Sequence, residues 1–324
     1  MIITTGQKKI NWVSVLKGIG ILVVVWGHMA TPLTPFIFSW HIPFFVFISG
    51  FFIKEDNFLN NFKKDAKRLL LPFIVFSLFP LVIIEPLKRL LFPDYPFILR
   101  NINYWEEIKG ILLWMDINHL HHYGFVLWFL PALFWARSFL FGLKKVIKID
   151  VLIFLITIVG YLIVVNKQWI LPFGIDKALL FMPWIFLGNI FFRKFKDSSY
   201  LKYFLPISII LICFKIPEIN LGLKLVSNSV YGFIYSIVLI LACVYVSKLL
   251  TTLKISNVFK IMGENSMLLL IIHPYVNNAS YILTQAIHLS WIFELLVSVI
   301  LLFVIIMVKV YVKKTKYANL ANWI

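Results

Sequence analysis

The chain has 324 residues, of which 61% are hydrophobic and only 14% charged, and its mean hydropathy is +0.92. Soluble globular domains run at about 45–50% apolar and about 25% charged, so a water-soluble fold would leave apolar surface that monomers rarely expose. The formal charge of +17, from 31 Lys and Arg against 14 Asp and Glu, lies in short segments between apolar runs, a pattern of membrane topology rather than of a nucleic-acid-binding face.

A membrane-crossing helix needs about 20 apolar residues. In chain order, such runs lie at 12–31, 36–53, 69–91, 124–142, 148–165, 178–192, 201–216, 229–250, 266–287 and 290–312. Runs such as 151–165 and 292–308 lack the alternation of a β-barrel strand and read as helices that bond their own backbones. The fold class is therefore all-α: a polytopic transmembrane helix bundle of about ten spans, one integral membrane domain over 1–324. The third span carries Glu85 between Pro80 and Pro86, and the sixth is short. The largest loop, 92–123, has room for a short amphipathic helix around 105–114. With the N-terminus inside, 21 Lys and Arg fall on the inner side and eight on the outer, which follows the positive-inside rule and puts both termini in the cytoplasm. The first apolar run ends at a histidine, not at a small-residue cleavage site, and reads as a span rather than a signal peptide. Cys213 and Cys243 fall in apolar runs, so no disulfide and no thiol metal site is expected.

Polar side chains inside spans are costly and tend to mark function. In the first span Lys17 and His28 are eleven residues apart, about three turns and roughly 16 Å of rise, so they share one helix face. They read either as the inner and outer ends of one cavity or as side chains reaching opposite headgroup layers. The second span opens with His41, followed by Pro43, whose missing N–H leaves the helix locally open. After so short a loop, His28 and His41 should lie at similar depth, as two imidazoles of an acid/base site do. The ninth span begins at Asn265 and Ser266, candidate helix caps, and holds His273 near mid-span before Pro274. Lys63, Lys64, Lys67 and Arg68 form either a topogenic charge run or a phosphate-binding rim. Glu85 is placed to orient an acceptor or to pair with Lys88 or Arg89. His119, His121 and His122 in the large loop match no zinc spacing and read as loop histidines. No phosphate-gripping glycine loop, HExxH or nucleophile elbow occurs, which argues against ATP hydrolysis in this chain.

At these residues the sequence resembles the acyltransferase 3 family of bacterial membrane proteins, in its fucose 4-O-acetylase-like branch. The carrying segments are KGIGILVVVWGH at 17–28, WHIPFFVFISG at 40–50, KRLLLP at 67–72, LWFLP at 127–131 and GENSMLLLIIHP at 263–274. They occur in the family's order over most of the chain, while 143–262 match mainly in hydropathy. The resemblance implies that His28 is the catalytic base; His41, expected at similar depth, and His273, near mid-span, stand beside it as catalytic candidates on their own positions. It gives Lys17 a role in donor binding or site electrostatics. Lys67 and Arg68 complete a basic inner rim that suits the anionic acyl-CoA donor, and Glu85 for the acceptor and Ser49, Asn265 and Ser266 for the oxyanion are candidates by position. The branch commonly has Asp three residues before the basic position, where this chain has Ser14.

By the resemblance, the expected activity is transfer of an acyl (acetyl) group from cytoplasmic acyl-CoA to a hydroxyl of a surface or exported glycan, in the bacterial cytoplasmic membrane. No metal, permanent cofactor or nucleic acid enters this reading; acetyl-CoA is the donor substrate and the bilayer the surrounding partner. The competing reading is a proton-coupled transporter or flippase of lipid-linked sugars, using the same histidines as relays. Inverted repeats would favour it, and the sequence has none.

Overall fold

The structure, a computed structural model, describes residues 11–29, 31–53, 57–91, 103–120, 124–285 and 290–314. About 80% of it is helical. The α-helices are α1 (Asn11–Gly27), α2 (Thr34–Phe38), α3 (His41–Gly50), α4 (Phe58–Asp65), α5 (Leu71–Phe79), α6 (Glu85–Leu91), α7 (Tyr104–Lys109) and α8 (Phe129–Val146). They continue with α9 (Asp150–Lys167), α10 (Ile175–Ile190), α11 (Phe204–Ile212), α12 (Ser229–Leu250), α13 (Ser256–Glu264), α14 (Ser266–Gln285) and α15 (Trp291–Val312). The one two-stranded sheet among the described residues pairs β1 (Ile219–Asn220) with β2 (Leu225–Val226), antiparallel, Ile219 opposite Val226.

Six helical runs are long and apolar enough to cross a membrane: Phe58–Leu91, Phe125–Val146, Asp150–Lys167, Pro172–Phe195, Ser229–Leu250 and Trp291–Val312. Asn11–Gly27, Thr34–Gly50 and Ser199–Ile212 are apolar but shorter. The run expected at 36–53 is interrupted: α2 ends at Phe38 and α3 starts at His41. Pro43 therefore stands in the first turn of α3, where no backbone donor is needed, and does not open the helix as its position in one long span would. The run expected at 69–91 starts earlier, at Phe58, through π-helical turns at Ala66–Leu70 and Pro80–Ile84. These lie next to Pro72 and Pro80, which remove helical donors and let the ladder widen. The loop helix expected around 105–114 forms as α7 and a following π turn, Gly110–Trp114. His121, His122 and both chain ends lie outside the described residues.

The chain divides into two units. One contains residues 1–41, 199–216 and 234–324. In it α1 crosses α13 with almost no separation. A Cβ on Gly18 would come within 1.9 Å of the Phe259 carbonyl oxygen, and one on Gly263 within 1.8 Å of that of Ser14. Small residues that let backbones touch drive helix association in lipid, where the hydrophobic effect does not. α14 packs on α15, with the Ser298 hydroxyl donating to that of Ser280 at 2.7 Å, and Trp26 of α1 stacks on Trp291 of α15.

The other unit contains residues 42–198 and 217–233, and α10 packs against α8 and α9 within it. Gly188 of α10 meets the Phe47 carbonyl, and Gly50 that of Ile185, as closely as the first pair of glycines does. At the N-terminus of α10, Lys177 is fully buried between Asp116 and Asp176, while Lys224 reaches Asp176 at 2.8 Å and the Trp169 carbonyl at 2.5 Å. Two buried carboxylates face two buried ammonium groups there, which pins the β1–β2 turn to α10.

Candidate functional site

The site grows out of the end of α1. His28 donates its backbone N–H to Val24 at 3.2 Å, and Met29 turns back onto Trp26. The carbonyl of Val25 is thus one of the last-turn acceptors that a helix leaves over. Buried Asn277 of α14 donates its Nδ2–H to it at 2.9 Å. Asn277 lies four residues, about one turn, after His273, so this bond brings the His273 stretch of α14 to the end of α1.

Both buried histidines have a fixed tautomer. His41 Nδ1 lies 3.0 Å from the Ile37 carbonyl, and His273 Nδ1 lies 2.7 Å from that of Leu270. A carbonyl only accepts, so each Nδ1 carries the proton and each Nε2 is an acceptor. The Leu270 carbonyl is open because the residue four positions on is Pro274, which has no N–H to give it. His273 Nε2 is buried and has no partner among the described residues.

The three rings converge. His28 lies 5.1 Å from His273 and 6.3 Å from His41, centroid to centroid. Phe38 packs edge-on against both His41, at 4.7 Å, and His28, at 5.6 Å. His41 and His273 are 3% and 0% exposed, whereas His28 is exposed. One accessible imidazole therefore rests against two enclosed ones whose protons are already committed to backbone. That arrangement suits proton exchange with a molecule arriving at His28.

The family model described as an acyltransferase domain, that of acyltransferase 3, matches residues 10–311. The chain belongs to the acyltransferase 3 family. No curated protein and no solved structure matches it. The family match spans both units and makes this helical membrane protein an acyltransferase.

Of the other sequence-derived positions of this acyltransferase 3 chain, Lys17, Asn265 and Ser266 belong to the same unit as the histidines, and Ser49, Glu85, Lys67 and Arg68 to the other. Lys17 is half-buried on α1, eleven residues before His28. Asn265 breaks the helix between α13 and α14, donating its Nδ2–H back to Ile261 at 2.9 Å, and so closes α13 rather than capping the start of α14. Ser266 is seven residues from His273, roughly 10 Å of helix rise. In the second unit, Ser49 is held by Arg137, which donates to its carbonyl at 2.7 Å and its hydroxyl at 3.2 Å while pairing with Asp65 at 2.6 Å. Glu85 is fully buried and pairs with Arg89 at 3.6 Å. Lys67 and Arg68 are exposed on the π turn after α4. Asn277 escaped the sequence reading, although a polar residue one helical turn from an intramembrane histidine is a usable signal.

Proposed function

We propose that the chain is an integral membrane O-acyltransferase of the bacterial cytoplasmic membrane, of the fucose 4-O-acetylase-like kind. It moves an acetyl group from cytoplasmic acyl-CoA to a hydroxyl of a surface or exported glycan. The convergence of exposed His28 on buried His41 and His273 supports this reading.

A sugar hydroxyl is a weak nucleophile and needs a base within hydrogen-bond reach. His28, neutral, takes the hydroxyl proton as the oxygen attacks the thioester carbonyl. The new C–O bond forms, the C–S bond breaks, and the proton passes from His28 to the departing CoA thiolate. His41 and His273, with Nδ1–H held by backbone, present Nε2 lone pairs that accept from His28 or from the sugar. Lys17, Lys67 and Arg68 supply cationic contacts for the CoA phosphates. About ten crossings, with both termini inside, keep the donor on one face and the glycan on the other.

Purified protein given acetyl-CoA and acceptor glycan should release free thiol. His28→Ala should abolish release while membrane insertion and thermal unfolding stay unchanged; normal acetylation by that variant would sink the assignment. Comparing O-acetyl content of surface glycans by NMR, with and without the protein, tests the acceptor class.

A further inference from the structure

Between α4, α8, α9 and α10 of the second unit lies a groove of about 540 Å³, far more than one water's share of about 30 Å³. Its hydroxyls are spent: Ser138 donates to the Phe134 carbonyl and Thr157 to that of Phe154. Water needs two to four polar partners to stay in such a space and would not find them. Hydrocarbon would.

Two glycines line the groove without any backbone reason for being glycine. A Cβ at Gly142 would meet nothing within 4 Å, and one at Gly160 only a leucine methyl at 3.8 Å. Their effect is space. At one end the groove shares Phe58, Phe62 and Ser138 with a small polar recess around the Asp65–Arg137 pair. The amide nitrogen of Asn61 in that recess is buried without an acceptor among the described residues, as is the indole nitrogen of Trp135 in the wall of the groove itself. Lys63 and Lys64 are exposed on the same helix as Phe58 and Phe62.

We propose that this groove holds one acyl chain of an anionic bilayer phospholipid, with its ester and phosphate oxygens toward Asn61, Lys63 and Lys64. A phospholipid offers acceptors but few donors, which matches the open amide of Asn61 and two ammonium groups. Anionic headgroups are drawn to clustered lysines. None of the three histidines lines the groove, and the proposal does not depend on which acyl acceptor they serve.

The test uses the full chain in nanodiscs containing phosphatidylglycerol or phosphatidylcholine with dibrominated chains, reading quenching of Trp135 as the difference between wild type and Trp135→Phe. Brominated phosphatidylglycerol should quench at a mole fraction lower by roughly thirtyfold, given two lysines. Gly142→Leu, whose Cβ would meet nothing within 4 Å and whose side chain takes up groove space, should abolish that component. Equal quenching by both lipids, or quenching untouched by Gly142→Leu, overturns the proposal.

Discussion

His273 donates its Nδ1 proton to the carbonyl of Leu270 at 2.7 Å, the acceptor that Pro274 leaves without a helical donor. A histidine followed by proline is thus a local device: the proline opens a carbonyl and the ring one residue earlier occupies it. Pro274→Ala restores the backbone donor and sets it in competition with the ring. The helix should gain up to about 3 kcal/mol in propensity, raising the unfolding temperature. Turnover should fall about tenfold, a fraction of what positioned acid–base groups supply, with little change in KM for acetyl-CoA. A variant that is more stable and equally active would show that the bond is incidental.

The three histidines should separate when stability and turnover are measured together. His28 is exposed, so His28→Ala should leave unfolding unchanged and remove about 10²–10⁴ of rate. His273→Ala strips the buried Leu270 carbonyl of its ring donor, costing about 1–3 kcal/mol as well as activity, while His41→Ala should cost less stability because the Ile37 carbonyl keeps the Trp40 N–H at 3.3 Å. Thermal unfolding in detergent beside thiol release reads both. Equal destabilisation by all three would mean that His28 is as structural as its neighbours.

Asn277→Leu keeps the size of the side chain near that of asparagine but ends its bond to the Val25 carbonyl. The end of α1 would then be free to shift against α14, and His28 with it. The expected result is a fall in kcat of about tenfold, since misplacement of about 1 Å can cost as much as 10²-fold. Asn277→Gln, which retains the amide, should recover part of it. Loss of folded protein without a kcat effect in the surviving fraction would assign Asn277 to packing alone.

How far these features were legible depends on range. The apolar runs at 229–250 and 290–312 are local properties, and α12 and α15 follow them closely. The interruption at Ser39–Trp40 was hidden because 36–53 is predominantly apolar, and hydropathy does not report where a backbone ladder stops. Histidines and prolines stood out as expensive residues in spans, so the members of the cluster could be named from sequence. Their meeting depends on Asn277 and on backbone contact at Gly18 and Gly263, which are tertiary facts. In sequence Ser49 was an oxyanion candidate and Asn265 a candidate helix cap; their hydrogen bonds to Arg137 and Ile261 became visible only in three dimensions.

The α1–α13 crossing predicts a sharp response to one methyl group. In Gly263→Ala the new carbon would lie 1.8 Å from the Ser14 carbonyl oxygen, with the Gly18 nitrogen at 2.8 Å. Neither is a flexible side-chain end, so the helices must part, at a cost of at least about 1–3 kcal/mol. Folded yield in membranes should drop and thiol release with it, while Gly142→Ala, facing open space, serves as the tolerated control. Wild-type yield for Gly263→Ala would mean that the two helices do not touch there.

The four charges at the N-terminus of α10 predict an asymmetric mutational pattern. Lys177 and its partners Asp116 and Asp176 are all fully buried, so Lys177→Met leaves two carboxylates facing one ammonium, that of Lys224. Breaking a buried ion pair from one side costs about 3–5 kcal/mol, whereas removing both partners is often nearly neutral. Lys177→Met should therefore lower the unfolding temperature strongly. Adding Asp116→Asn should recover much of the loss, because Asn118 can still donate its backbone N–H to the side-chain oxygen it now contacts at 2.9 Å. Additive losses in the double variant would mean that Lys177 and Asp116 act independently, contrary to their direct contact.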